Sequence, residues 1–243
     1  IPSPSEIPYL LEATGAEFNQ SLLSDRSKVD QYATHSDKAA LNLGIYAADI
    51  GYLTSYDKSQ EAIDYLAACK TLADNLNIIG SFDVEILKKF EANISNKDSL
   101  THLLDQTIQK TETFLKDDKR NKHSSLIVTG SFIEGLYIST GVIKSYPKDI
   151  LADDKRNLVL TPLMRVVLEQ KKSVAELVKM LSVVDQTDPV TNIVAELKNL
   201  EKAFNALNIE EQIKNGRADL VLTDKNLEEI TATVEKLRKG ITD

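Results

Sequence analysis

Residues 129–140 read TGSFIEGLYIST, a stretch of small and apolar side chains with one carboxylate, Glu134, in its middle. Positions three and four apart share a helix face, so Glu134 and Tyr137 fall on one stripe of a helix. The remaining faces are also apolar, which predicts a helix buried in the centre of a bundle. Gly130 and Gly135 each lower helix propensity by about 1 kcal/mol relative to Ala. That loss indicates a neighbouring backbone so close that a side chain would not fit.

A second stretch, DIGYLTS (49–55), aligns with EGLYIST (134–140). The alignment places Asp49 on Glu134 and Tyr52 on Tyr137, with the same separation in both pairs. Further along, NKDSLTHLL (96–104) resembles QKKSVAELV (170–178). We predict a degenerate internal duplication of a helical unit, with near-repeats around 38–116 and 121–184. The alternative is that two buried helices converged on small and aromatic residues.

The rest of the chain is also helical in pattern, which predicts an all-α, multi-helix bundle. Asp37 is a candidate N-cap for a helix at 38–56. The segments LTPLMRVVLEQ and SVAELVKMLSVV predict two shorter helices, and only ADLVLT (218–223) suggests a strand. Residues 1–8, IPSPSEIP, hold three prolines and are predicted to be a non-helical tether. The bundle is assigned to residues 9–187, with a C-terminal helical pair at 188–243 packed on the same domain.

Composition and motifs exclude several classes of function. Lys plus Arg total 29 against 37 for Asp plus Glu, a net charge of −8 without a basic block, which argues against nucleic acid as a partner. Cys69 is the only cysteine, so an internal disulfide and a four-cysteine zinc site are impossible. The chain holds no His-Glu-x-x-His motif, P-loop or Gly-x-Ser-x-Gly elbow. We therefore expect neither a metal nor a cofactor.

The carboxylates Asp49 and Glu134 are the candidate functional groups, because a buried carboxylate must be paired, hydrogen-bonded or protonated. In a structural role they accept hydrogen bonds from tyrosine hydroxyls, backbone amides or Arg165. In a catalytic role they face one cavity and act as the acid–base pair of a hydrolase of wall or glycan material. Tyr52, Tyr137 and Arg165 are the candidate ligand-binding residues. Solvent access to the two carboxylates separates the two roles.

Two families resemble parts of the chain. LGIYAADIGYLTSYDKSQEAIDYL (43–66) resembles a tetratricopeptide unit, which implies paired antiparallel helices and a peptide-binding groove. Residues 5–185, including FDVEILKKFEANISNKDSL and TGSFIEGLYIST, resemble a family of uncharacterised helical bacterial cell-envelope proteins, often lipoproteins. That resemblance implies a periplasmic or lipid-anchored location, with the lipid-bearing cysteine missing from this chain, and it implies no activity.

Together these observations favour a non-catalytic, envelope-associated binding or scaffold protein over an enzyme. Its groove would take a protein, a peptide or a small ligand. Membrane association would come only through the lipid anchor.

Overall fold

The computed structural model describes residues 1–78, 84–117, 120–145, 153–206, 211, 214–216 and 225–243. Within these ranges the chain forms α-helices and two short 3-10 turns, and no strand. The prediction of an all-α, multi-helix bundle is confirmed. The helices are α1 (Glu6–Ala13), α2 (Val29–Tyr32), α3 (Ser36–Ser55), α4 (Ser59–Asn75), α5 (Val84–Ala92), α6 (Lys97–Asp117), α7 (Asn121–Ser145), α8 (Asp153–Ser182), α9 (Asp188–Ala206) and α10 (Lys225–Thr242).

Helices α3 and α7 form the centre of the bundle and run in the same direction. Near their starts, Lys122 Nζ lies 2.9 Å from Asp37 Oδ1. Further along both helices, Asp49 and Glu134 both bind Ser24. Almost every residue of α3 from Ala39 onward is buried, as the apolar pattern predicts.

The two central helices cross at glycines. A Cβ atom added to Gly130 would collide with the carbonyl oxygen of Leu41 on α3. A Cβ atom on Gly44 would collide in the same way with the carbonyl oxygen of Ile127 on α7. The prediction of a neighbouring backbone is confirmed at Gly130 and is wrong at Gly135, where the neighbour is the side chain of Ile7. At Gly44 and Gly130 the missing side chain permits the close approach of the two helices.

The internal duplication stays a prediction. Asp37 lies opposite Lys122, and Asp49 lies beside Glu134. The two residues of each pair are separated by the same number of positions in the sequence, as a duplication would require. The helices that follow them differ: α4 packs along α3 after a tight turn in which Asp57 has φ of 58°. Helix α8 packs on both α7 and α9 and has 30 residues against 17 for α4.

The N-terminal segment is more ordered than the sequence predicts. Helix α1 begins at Glu6, and Pro8 is its third residue. The prediction that residues 1–8 are non-helical is therefore wrong for residues 6–8, because N–H groups in a first helical turn have no intrahelical partner and a proline loses nothing there. Pro4 and Ser5 are buried, and their backbone lies against Gly51 of α3.

Two other predicted boundaries differ from the structure. Helix α8 is one continuous helix that contains Pro162, where the sequence predicted two shorter helices. A proline removes one backbone hydrogen bond, and burial of Leu163, Met164 and Val167 in the bundle offsets that loss. Asp37 is not an N-cap: the cap position is His35, and the Asp37 carboxylate binds Lys122.

Helices α9 and α10 pack on each other, and α10 also lies against α7 and α3. The predicted strand at 218–223 lies outside the described residues. In the described part of the chain, α7 alone is long and apolar enough to cross a membrane, and 83% of its most apolar window is buried inside the bundle. Such burial is what a core helix shows.

Candidate functional site

The two candidate carboxylates lie together inside the bundle. Asp49 on α3 and Glu134 on α7 both have 0% of their surface exposed. Ser24 connects them: its backbone N–H donates to Asp49 Oδ2 at 3.2 Å, and its hydroxyl donates to Glu134 Oε1 at 3.4 Å. The Tyr65 hydroxyl in turn donates to the Ser24 carbonyl oxygen at 2.5 Å, which fixes this loop residue between the helices.

Arg238 on α10 is the main partner of Glu134. Its Nε donates to Glu134 Oε2 at 2.9 Å and its Nη2 donates to Oε1 at 3.1 Å. The same Nη2 also reaches the Ser24 hydroxyl at 3.2 Å. This two-point geometry is the strong form of an arginine–carboxylate pair. Arg165, one of the alternative donors that the sequence suggested, is exposed on α8, and Arg238 takes the place beside Glu134.

Burial in the cluster raises the pKa of both carboxyl groups. Burial and the nearby Glu134 carboxylate hold the pKa of Asp49 well above its ordinary value. Burial also raises the pKa of Glu134, but the Arg238 guanidinium opposes that rise. Asp49 Oδ1 has no hydrogen-bond partner. The protonated form is therefore favoured more strongly at Asp49 than at Glu134, which pairs with Arg238.

The two candidate tyrosines take different roles. The ring of Tyr137 lies under the guanidinium of Arg238, with 4.3 Å from Cζ to the ring centre, which is cation–π geometry. The hydroxyl of Tyr52 accepts the backbone N–H of Asn19 at 2.8 Å, and its ring stacks on Phe18. Of the predicted donors to the carboxylates, a backbone amide is confirmed, since the Ser24 N–H donates to Asp49. The hydroxyls of Tyr52 and Tyr137 are not the donors to Glu134, which accepts from the Ser24 hydroxyl and Arg238 instead.

No described cavity opens onto the carboxyl groups. A cavity of about 330 Å³ reaches the outer side of Arg238 and Tyr137, and its other lining residues include Asp25 and Glu235. Asp49 and Glu134 do not line it. A general acid or base must come within hydrogen-bonding reach of its substrate. The arrangement seen here instead ties α3, α7 and α10 together.

An open cavity of about 620 Å³ lies elsewhere, between residues 1–4, α6, α7 and α8, and we call it the α6–α8 groove. Its apolar lining includes Ile108, Ile127, Val128, Met180, Val183 and Val184. Its charged lining residues are Asp105, Glu112 and Glu176, and Ser124, Ser125 and Ser131 of α7 contribute hydroxyls. The sequence gives no signal for this groove, because its residues come from three helices that carry no shared motif.

Arg165 lines a different groove, of about 500 Å³, together with Leu10, Leu158 and Pro162. No cavity described for this chain is lined by more than one of the three candidate ligand-binding residues, Tyr52, Tyr137 and Arg165. Within the described ranges, no group of three or more His, Cys, Asp or Glu side chains is placed to hold a metal ion.

No protein-family profile, curated protein or solved structure matches this chain.

Proposed function

We propose that this chain is a non-catalytic helical binding or scaffold protein of the cell envelope, and that its ligand site is the α6–α8 groove. The observation that carries the proposal is the complete burial of Asp49 and Glu134 in a network closed by Arg238. The carboxyl groups of Asp49 and Glu134, which a hydrolase would need for acid–base catalysis, are therefore engaged in contacts inside the bundle. The envelope location rests only on the resemblance of residues 5–185 to helical envelope proteins.

The composition of the α6–α8 groove suits a ligand that is partly apolar. Ligand pockets combine an apolar lining with a few polar groups that orient the ligand, in volumes of about 300–1,000 Å³. In the described part of the chain, the hydroxyls of Ser124, Ser125 and Ser131 make no hydrogen bond to another residue. They are free to bind the amide groups of a peptide laid along α7, with its apolar side chains against Val128 and Met180.

The hydrolase alternative has a specific structural requirement. A substrate reaches Asp49 and Glu134 only if Arg238 leaves, because the guanidinium occupies both oxygens of Glu134. The last carbonyl oxygens of α10 are held separately by Asn42 and Tyr32. A hydrolase would therefore have to break the Arg238–Glu134 ion pair in each cycle.

The experiment is a screen of a nonapeptide library for binding to the wild-type chain, followed by two matched substitutions on α8. Met180→Trp fills the α6–α8 groove, whereas Leu158→Trp adds the same bulk at an exposed position outside it. We expect Met180→Trp to weaken binding of the selected peptides at least about tenfold, and Leu158→Trp to leave it unchanged. Melting temperatures confirm that both variants fold.

Loss of binding in Leu158→Trp alone would move the site to the groove that contains Arg165. Incubation with cell-wall fragments and oligosaccharides tests the alternative. Release of products by the wild type, and its loss in Glu134→Gln, would contradict a non-catalytic role.

A further inference from the structure

The serine and threonine hydroxyls of α7 divide into two sets. Those of the first set donate to a carbonyl oxygen three or four residues earlier in the same helix, and they belong to Thr129, Ser139, Thr140 and Ser145. The hydroxyls of Ser124, Ser125 and Ser131 make no hydrogen bond to any residue that the structure describes. These three serines line the α6–α8 groove, and no member of the first set does. The groove is therefore where α7 leaves its hydroxyls unpaired.

The unpaired hydroxyls need partners once the groove is filled. Only 3% of Ser124 and 7% of Ser125 and of Ser131 is exposed, although their Oγ atoms are not enclosed by protein. A serine or threonine inside a helix can bond back to the preceding turn, and these three do not. Because a polar group that loses water without gaining a hydrogen bond is unfavourable, a ligand in the groove has to offer donors or acceptors to them.

The charged groups of the groove are already engaged. The Ile1 amino group lies 3.2 Å from Glu176 Oε2, and Asp105 accepts the Ser5 hydroxyl at 2.7 Å. Glu112 also has a partner of its own. A charged ligand group would thus give up water without meeting a free counter-charge, which is unfavourable for a charge of either sign.

We propose that the α6–α8 groove binds an extended, uncharged peptide segment, whose backbone amide groups pair with the serine hydroxyls and whose apolar side chains cover Val128 and Met180. This inference rests on the proposed function, and it adds the charge and the conformation of the ligand. The apolar contact removes from water the half-buried side chains of Met180 and Val184 and the exposed side chain of Val183.

The conformation of the ligand follows from the kind of partner that the serines need. A helical peptide uses its backbone N–H and C=O groups within its own turns, whereas an extended segment leaves them free. Ser124 and Ser131 are separated by two turns of α7, which is about 10 Å along the helix axis. An extended peptide covers that distance in about three residues.

The test of charge uses three nonapeptides with acetylated and amidated ends, in which leucine alternates with glutamine, lysine or glutamate. Isothermal titration calorimetry measures their affinities. We expect the Leu/Gln peptide to bind at least about tenfold more tightly than the Leu/Lys and Leu/Glu peptides. Raising NaCl from about 50 to about 500 mM should leave the Leu/Gln complex unchanged, because it contains no charge contribution for salt to screen.

The test of conformation uses a Leu/Gln nonapeptide whose backbone nitrogens are methylated. Methylation removes the amide donors and keeps the side chains, so this peptide should bind at least about tenfold more weakly than its parent. Equal affinity of the two peptides would overturn the backbone hydrogen bonds.

Three matched serine variants locate the contact on α7. Ser124→Ala and Ser131→Ala should each weaken binding of the Leu/Gln peptide about threefold or more. Neither should lower the melting temperature, because the lost hydroxyl has no protein partner and alanine favours a helix. Ser145→Ala removes a hydroxyl at the exposed end of the same helix, outside the groove, and should leave the affinity unchanged. Unchanged affinity in both Ser124→Ala and Ser131→Ala would overturn the inference.

The remaining outcomes separate this inference from the proposed function. If the Leu/Lys or Leu/Glu peptide binds as tightly as the Leu/Gln peptide, and Met180→Trp blocks both, selection of an uncharged ligand is overturned and the groove stays the ligand site. Failure of all three peptides to bind at about 1 mM would overturn both proposals.

Discussion

Arg238 and Glu134, which are 104 residues apart in the sequence, form a two-point ion pair inside the bundle. The glutamate is fully buried and the arginine side chain is 16% exposed, with the ring of Tyr137 beneath it. The pair joins the last helix to the central one. An ion pair in this position links two helices. Substitution of one partner leaves the other as a buried charge without a counter-charge, which is strongly destabilising.

Glu134→Gln should destabilise the fold by about 3 kcal/mol, because it leaves the buried Arg238 without a counter-charge. Equilibrium unfolding in denaturant measures the loss. The double variant Glu134→Gln/Arg238→Met removes both charges, so it should lose at least about 1 kcal/mol less than the sum of the single variants. Strict additivity would show that the two side chains do not interact in solution.

Asp49 should make the stability of the protein depend on pH. Its pKa is raised in the folded state, so the folded state binds this proton more tightly than the unfolded chain does. The resulting stabilisation is present in full below the unfolded pKa of about 3.9 and is lost as the pH rises through the folded pKa. Over that window the free energy of unfolding should fall by up to about 1.4 kcal/mol per pH unit relative to Asp49→Asn, which cannot ionise.

Denaturant unfolding of the wild type and Asp49→Asn across a pH series measures this difference. The same substitution at Asp30, an exposed residue of α2, controls for the loss of a carboxylate. A wild-type-minus-Asp49→Asn difference that stays flat or increases with pH would place the proton elsewhere.

Gly130→Leu should destabilise the bundle by about 1–3 kcal/mol or more, because the backbone of Leu41 occupies the space beside Gly130. The smaller change Gly130→Ala should also lower the melting temperature. Gly240→Ala is the matched control, since nothing lies within 4 Å of the added Cβ and alanine favours a helix. An unchanged melting temperature for Gly130→Leu would refute the close crossing of α3 and α7.

Cys69 should be unreactive in the folded protein. It is fully buried, and burial raises the pKa of its thiol, which lowers the fraction of reactive thiolate. Ellman's reagent should therefore label Cys69 at the rate of unfolding, and Arg238→Met should increase that rate. Rapid labelling of the wild type under native conditions would mean that α4 is open to solvent.

The sequence predicts the bundle and the burial of Glu134 well, because both depend on local pattern. Small and apolar side chains around a helix leave no face for water, and glycines within it indicate a close neighbour. The alignment of Asp49 with Glu134 also indicates that the carboxylates occupy equivalent positions. These signals lie within short windows of the chain.

The partners of the carboxylates are not predictable in this way. Arg238 lies in TVEKLRKG, where an arginine among lysines and glutamates on an amphipathic helix has the pattern of a solvated face. Ser24 lies in a loop without a motif. Their roles depend on how α10 packs against α7, which no local periodicity determines. The α6–α8 groove escapes prediction for the same reason, since it exists only after α6, α7 and α8 are assembled.

The measurement that tests the ligand site most directly is methyl NMR of the two methionines, Met164 and Met180. Met180 lines the α6–α8 groove, whereas Met164 is fully buried and does not line it. With ¹³C-methyl methionine and ¹⁵N-arginine labels, saturation with a nonapeptide selected from the library should shift the Met180 signal and leave the Met164 methyl and Arg238 Nε signals in place. A fixed Met180 signal together with a shifted Arg238 Nε signal would contradict the account, because the ligand would then act at the buried carboxylates.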